Sequence, residues 1–142
     1  MAQSIKFNNN IYIDSSGVTH NKISLDKILT YSTTETKIGT WIDGKPIYRK
    51  VLTSPGLATA TKKTILYNIN NVKQMWIEKA FIEHTTVGRV VVLPEVGYNG
   101  ELTSKTDVWI EKSDNCVCLY SNGGWSQEWV FYIILNYTKT TD

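Results

Sequence analysis

The sequence contains 142 residues, 42% of them hydrophobic, and its 15 basic residues nearly balance its 13 acidic ones. This length suits one domain with its own core, and the balanced charge argues against nucleic-acid binding, which needs a basic patch. The longest apolar run, Val130 to Leu135, is too short for membrane insertion, since a spanning helix needs roughly 20 residues. Met1 to Lys6 lacks the apolar core of a signal peptide, so we expect the chain to be made and folded in a cytosol.

The first part of the chain is polar and has few predicted elements. Ile11–Ile13 is predicted to be a short strand between polar turns. Ser24 to Thr30 is predicted to form a short helical turn, because Ser24 is a favourable N-cap and apolar residues follow it at helical spacing. We therefore assign residues 1–23 to a connecting or attachment segment and residues 24–142 to the domain.

The stretch TWIDGKPIYRKV, residues 40–51, has the pattern of a tight β-hairpin. Asp43-Gly44 between apolar runs favours a two-residue type I′ turn, in which Trp41 pairs with Pro46. Alternation along the two strands then places apolar side chains on both faces of the hairpin. One face can join a core, whereas the other needs a second sheet, a neighbouring subunit or a ligand. The candidates for a subunit interface are Trp41, Ile42, Pro46, Ile47 and Tyr48.

The rest of the chain consists of short apolar segments separated by turn signals. Turns are predicted at Ser54-Pro55-Gly56 and, as a hairpin loop, at Asn122-Gly123-Gly124. Met75 to Glu83 also fits a helical stripe, but its β-favouring residues and its position among strands favour a strand. This spacing predicts an all-β fold, an antiparallel β-sandwich or jelly roll. The predicted strands are Lys63 to Ile69, Met75 to Glu83, Arg89 to Leu93, Thr106 to Glu111, Val117 to Tyr120 and Gln127 to Tyr137.

The sequence contains no recognisable catalytic or metal-binding motif. It has no phosphate-binding loop and no nucleophile elbow, and its histidines, His20 and His84, lie in unrelated contexts. Cys116 and Cys118 are expected to be buried free thiols, because a disulfide between residues i and i+2 of a strand is strained. A glycan-degrading enzyme would need two carboxylates in one cleft, and no pair of residues is spaced so as to demand one. We predict that the chain is not an enzyme and holds neither a metal nor a cofactor.

Aromatic residues are numerous, with five tryptophans and eight tyrosines. Most are expected in the core or at interfaces, where aromatic side chains contribute most. Trp125 follows Gly123-Gly124 and has two interpretations. It either packs inside the domain or stands exposed at a loop tip, where its ring would stack on a sugar. In the second case Asn122, Ser126 and Gln127 would supply hydrogen bonds to the ligand.

Two blocks of the sequence resemble segments of known proteins. The run SLDKILTYSTTETKIGTWIDGKPIYRKVL, from Ser24 to Leu52, resembles a block that opens the C-terminal domain of tail-associated proteins of bacteriophages and prophages. The ending YIILNYTKTTD, from Tyr132 to Asp142, resembles the close of the same domain. The two blocks frame the chain from Ser24 onward, whereas residues 53–127 match that group only in general character.

The resemblance implies a protein of the virion, made in the cytoplasm of a bacterial host. Domains of this group occur on fibres, baseplate components and receptor-binding proteins, and adhesin tips of this size are commonly homotrimers. The first expectation is a tail-fibre or receptor-binding module that binds a host surface glycan as a trimer, with several weak sites engaged at once. The alternative is a head-fibre, decoration or purely structural module that contacts other virion proteins and has no host ligand.

Overall fold

A computed structural model describes residues 5–7, 11–13, 19–21, 31–96 and 105–141. The chain divides into two compact units, Met1–Thr30 and Tyr31–Asp142. In the first unit the strands form one antiparallel sheet in the order β1-β2-β3, and the predicted strand at Ile11–Ile13 is confirmed. The predicted helical turn at 24–30 lies outside the described residues. These strands are β1 (Ile5–Phe7), β2 (Ile11–Ile13) and β3 (Thr19–Asn21).

The second unit is an antiparallel β-sandwich, as the sequence predicts. One sheet has five strands in the order β4-β5-β12-β7-β8, and the other has four in the order β6-β11-β10-β9. The ambiguous segment around Met75 lies in a strand, and the described residues include no helix. The strands are β4 (Thr36–Thr40), β5 (Pro46–Leu57), β6 (Thr61–Leu66), β7 (Val72–His84), β8 (Val90–Leu93), β9 (Glu95–Val96), β10 (Lys105–Glu111), β11 (Cys116–Ser121) and β12 (Trp125–Lys139).

The core lies between the two sheets and is centred on β12. Alternate residues of this strand, including Phe131, Ile133 and Leu135, are fully buried, as are Val117 and Leu119 of the facing sheet. Each such side chain contributes about 1.5–3 kcal/mol through burial of apolar surface. The five-stranded sheet is therefore fixed in orientation, because a shift of one residue would turn this set of side chains toward solvent.

The hairpin between β4 and β5 differs from the predicted one. The Trp41 N–H donates to the Lys45 carbonyl oxygen at 2.7 Å, and the Gly44 N–H donates to the Trp41 carbonyl oxygen at 2.9 Å. Gly44 has a φ of +82°, whereas Asp43 is not among the described residues with positive φ. This is a three-residue loop, a type I turn followed by a left-handed glycine. The predicted two-residue type I′ turn is wrong.

The longer loop shifts the pairing of the two strands by one residue. Thr40 pairs with Pro46, and Gly39 pairs with Ile47. The Asp43 carboxylate favours the longer loop, because its Oδ1 accepts a hydrogen bond from the Lys45 N–H at 3.1 Å. Since successive side chains alternate, the shift removes Trp41 from the face that carries Pro46.

Two other predicted turns have different structures. Ser54-Pro55-Gly56 lies inside β5, which runs from Pro46 to Leu57. Pro55 is tolerated because β4 pairs with β5 only as far as Arg49, so Pro55 lies where β5 has no partner strand on that side. Asn122-Gly123-Gly124 joins strands of different sheets and is therefore not a hairpin loop. Within the described ranges, no helix is long and apolar enough to cross a membrane.

Candidate functional site

Trp125, the residue expected to bind a sugar, is part of the core. Its side chain is 8% exposed, and its Nε1–H donates to Thr106 Oγ1 at 2.9 Å. Its ring meets Trp129 edge-on, with 4.9 Å between ring centroids and 69° between the ring planes. The chain crosses from one sheet to the other at this point, which directs the indole inward. Of the two interpretations of Trp125, the structure therefore agrees with packing inside the domain, and a ring in this position has no open face for a ligand.

The polar residues grouped with Trp125 do not form a site around it. The Asn122 side chain accepts a hydrogen bond from the Lys105 backbone N–H at 2.7 Å, so it holds the start of β10. Ser126 and Gln127 are exposed and lie in the irregular part of β12, where the pairing with β5 is interrupted between Trp125 and Val130. These two side chains therefore lack the aromatic platform that the predicted glycan site requires.

The candidate interface residues of the hairpin occupy three different environments. Trp41 contacts Trp76, with ring centroids 4.9 Å apart. Tyr48 stacks on the fully buried Tyr137 at 5.9 Å. Ile42 lies at the loop tip and is 93% exposed, whereas Pro46 and Ile47 are half-buried. The hairpin therefore does not present these five residues as one surface.

Residues of the two sequence blocks, Ser24 to Leu52 and Tyr132 to Asp142, contact each other in the fold. Tyr137 Oη donates to Glu35 Oε2 at 2.6 Å, and Lys139 Nζ donates to Glu35 Oε1 at 2.7 Å. Burial, reinforced by the hydrogen bond to Glu35, raises the pKa of the Tyr137 hydroxyl. Because β4, β5 and β12 are neighbours in one sheet, residues far apart in sequence meet here. The described residues of both blocks thus hold the domain together.

A partly buried ion pair lies beside this contact. Arg49 is 6% exposed, and its Nη2 is 2.5 Å from Glu78 Oε2. Asn136 Nδ2 donates to the same carboxylate oxygen at 2.7 Å, and the Tyr31 ring lies over the guanidinium at 4.8 Å. Loss of the Glu78 carboxylate would leave the buried Arg49 charge without this partner, whereas loss of Arg49 would leave a carboxylate that is in contact with water. Glu78 is the extra residue where the pairing of β7 with β12 shifts, and this irregularity brings its carboxylate to Arg49.

Next to this ion pair, the five-stranded sheet presents an apolar surface to solvent. We call it the outer face, and its apolar residues are Val51, Phe81, Val90, Val92, Tyr132 and Ile134. Val90 and Val92 are 52% and 55% exposed, and the Phe81 and Tyr132 rings stack at 5.0 Å. A groove of about 290 Å³ crosses this surface and is lined by Tyr31, Val51, Lys79, Phe81, Tyr132 and Ile134.

The sequence carries a signal for the outer face in the composition of β12. From Val130 to Leu135 every residue of β12 is apolar. A strand with one face exposed to solvent should instead alternate apolar and polar residues. Phe131, Ile133 and Leu135 belong to the core, so Tyr132 and Ile134 must point to the other side. A run of this kind in a strand indicates that both faces are suited to burial.

The two cysteines lie in the central strand pair of the other sheet. Both are buried free thiols, as predicted, with their sulfur atoms 3.7 Å apart. Burial and the neighbouring Cys118 raise the pKa of the Cys116 thiol to about 11, which disfavours the nucleophilic thiolate. Among the described residues no cluster of three or more His, Cys, Asp or Glu side chains could hold a metal ion.

Comparisons of the chain with protein families, with curated proteins and with solved structures find no match. Inference of function therefore depends on two features of the chain itself. One is the pair of phage-like sequence blocks, and the other is the outer face of the five-stranded sheet.

Proposed function

We propose that the chain is a non-enzymatic structural module of a bacteriophage virion, which assembles through the outer face of its five-stranded sheet. The phage-like blocks, from Ser24 to Leu52 and from Tyr132 to Asp142, support a place in the virion. The observation that carries the assembly role is the apolar outer face, where Val90 and Val92 are more than half exposed and Phe81 and Tyr132 are half-buried, while Trp125 is buried.

Physical chemistry favours a protein partner for this face. Contiguous apolar patches on soluble proteins usually mark interaction surfaces, because water contact with them is unfavourable. Val51 and Ile134 form the floor of the groove, and the half-buried rings of Phe81 and Tyr132 stand beside them. Burying such a surface against another protein would yield a dry interface core of the kind that stable assemblies have.

A second candidate function is binding of a host surface glycan in the same groove. The specific observation in its favour is the presence of three aromatic rings, those of Tyr31, Phe81 and Tyr132, together with the amine of Lys79. Aromatic rings can stack on sugars, and the two tyrosine hydroxyls and the amine can form hydrogen bonds. The homotrimer that the resemblance implies would present three such grooves and bind by avidity.

The proposed virion role is tested by immunogold electron microscopy. Antibodies against the purified chain are applied to particles from a strain that carries its gene, with particles from a deletion strain as the control. Gold on a defined part of the wild-type particle is the expected result. Particles that carry no gold, although the protein is made in the same cells, would overturn the proposal.

The glycan alternative is tested by a binding measurement on the same protein. Labelled protein is titrated onto purified wall polysaccharides and whole cells of Firmicutes-type hosts, with Tyr31→Ala as the groove variant and Trp109→Ala on the other sheet as its control. A structural module shows no saturable binding. Saturable binding that Tyr31→Ala abolishes and Trp109→Ala preserves would establish the receptor-binding function instead.

A further inference from the structure

We propose that the outer face is self-complementary and binds a second copy of this chain in a two-fold arrangement. In this arrangement Lys79 of each copy pairs with Glu83 of the other, and the Phe81 rings of the two copies meet between these ion pairs. The inference rests on the proposed function, because it names the partner of the same surface.

The strand β7 carries the charge pattern that leads to this inference. Lys79, Phe81 and Glu83 are alternate residues, so all three side chains lie on the outer face. Their cross-strand partners in β12 confirm the placement, since Lys79 pairs with Ile134, and Phe81 pairs with Tyr132. A rise of about 3.4 Å per residue places the positive and the negative charge at equal distances on either side of Phe81.

Both charges lack an ion-pair partner within the described part of the chain. The ion pairs found there involve neither Lys79 nor Glu83. The Lys79 ammonium lies 5.9 Å from the centroid of the Phe81 ring, and the Glu83 side chain is half-buried. Two unpaired charges of opposite sign on an apolar surface are suited to a partner that supplies the opposite charge at each position.

A two-fold axis across the strands at Phe81 supplies this partner. The axis reverses the direction of β7 in the second copy, so Lys79 faces Glu83 and Glu83 faces Lys79. An axis parallel to the strands and centred on β7 would instead bring Lys79 against Lys79, which is repulsive. Of these two arrangements, the charge pattern therefore favours the first.

The apolar residues also match in this arrangement. On one side of Phe81, a row of paired residues across the sheet consists of Val51, Ile134 and Lys79. On the other side of Phe81, the corresponding row contains the pair of Val130 and Glu83. Reversal of the strands places the groove floor of one copy opposite Val130 of the second copy. Two sheets can then pack about 10 Å apart, as sheets do inside sandwiches.

The test is the solution mass of the full chain by light scattering, measured over a range of protein concentrations with a chain mass of 16.1 kDa as the reference. The wild-type protein is expected to contain two chains. Lys79→Glu and Glu83→Lys should each weaken association roughly tenfold or more, because each creates like charges face to face. The double variant Lys79→Glu/Glu83→Lys should recover two chains, since the swap restores both ion pairs.

Matched controls separate this effect from a general effect of charge. Lys62→Glu in β6 and Asp114→Lys in the turn between β10 and β11 reverse charges away from the outer face and should leave the mass at two chains. Thermal melting of every variant verifies that it is folded before its mass is interpreted. Recovery in the double variant cannot arise from accumulated damage, because two damaging changes would then weaken association further.

Three outcomes would overturn the two-fold pairing. They are one chain at all concentrations, three chains as the trimer interpretation implies, and a double variant that stays dissociated. Immunogold labelling is independent of these results. Labelled particles with a monomeric protein would keep the virion role and reject the pairing, whereas two chains without labelling would do the reverse.

Discussion

The hydroxyl of Tyr137 donates a 2.6 Å hydrogen bond to the Glu35 carboxylate, which also accepts a bond from Lys139 Nζ. Tyr137 is fully buried in β12, and Glu35 immediately precedes β4 at the other end of the domain sequence. The contact therefore links the start of β4 to β12, the two strands that flank β5 in the sheet. Two segments that are distant in the sequence therefore each supply one side of a single structural contact.

We expect Tyr137→Phe to lower the free energy of unfolding by about 1–2 kcal/mol, because it leaves the Glu35 carboxylate without its neutral donor while keeping the ring. Urea unfolding of the wild type and the variant gives this value. Tyr120→Phe is the matched control, since Tyr120 is a half-exposed residue of the other sheet, and its variant should match the wild type. Equal midpoints for all three proteins would show that the contact adds nothing to stability.

Stability should fall at alkaline pH. Burial raises the pKa of the Cys116 thiol to about 11 from an ordinary value near 9, and it raises the pKa of Tyr67 and Tyr137 as well. The unfolded chain loses these protons first, so the stabilising contribution is complete below about pH 9 and is lost as pH rises toward 11. Urea midpoints at pH 8, 9, 10 and 11 should decrease, and Cys116→Ser should make the decrease shallower. A midpoint independent of pH over this range would contradict the prediction.

Gly44 should be intolerant of side chains. Its φ of +82° favours glycine, so Gly44→Ala should destabilise the domain by about 1–2 kcal/mol, and Gly44→Val by more. Gly39→Ala is the control in the same hairpin, because φ at Gly39 is not in the left-handed region and a Cβ there would meet only the Ile47 Cδ1 atom at 4.0 Å. Thermal melting compares the variants. A Gly44→Val variant as stable as Gly39→Ala would exclude the assigned turn.

Trp125 is expected to contribute to folding. Trp125→Ala should cost about 3–5 kcal/mol, because it leaves a cavity next to Trp129. Trp125→Phe should cost less, since it keeps much of the ring but leaves Thr106 Oγ1 without the indole N–H donor. Chemical unfolding measures both values. A Trp125→Ala variant with wild-type stability would mean that the indole is not packed in the core in solution.

Much of the fold can be predicted from local patterns. The strands at Ile11–Ile13, around Met75 and in β8, β10, β11 and β12 appear where apolar and β-favouring residues cluster between turn signals. The buried C-x-C thiols follow from the same pattern. Local propensity suffices here because each strand is specified by its own residues.

The register of the hairpin and the path of two turns cannot be predicted in this way. Asp43-Gly44 is compatible with a two-residue and with a three-residue loop, and a hydrogen bond from Lys45 to the Asp43 carboxylate favours the second. The local sequence predicts that Pro55 interrupts the strand in a turn. Pro55 is accommodated inside β5 because β4 ends before reaching it. The first outcome is decided between two turns that the local residues both permit, and the second depends on where a neighbouring strand ends.

The sequence by itself determined an all-β chain with free buried thiols and apolar residues suited to burial on two faces. Only the tertiary structure decided which of these residues are covered. Trp125 is buried where the chain crosses between sheets, and part of the outer face is exposed because the four-stranded sheet covers the opposite side of β12. Burial is a property of how sheets stack, and stacking depends on contacts among strands that are distant in sequence.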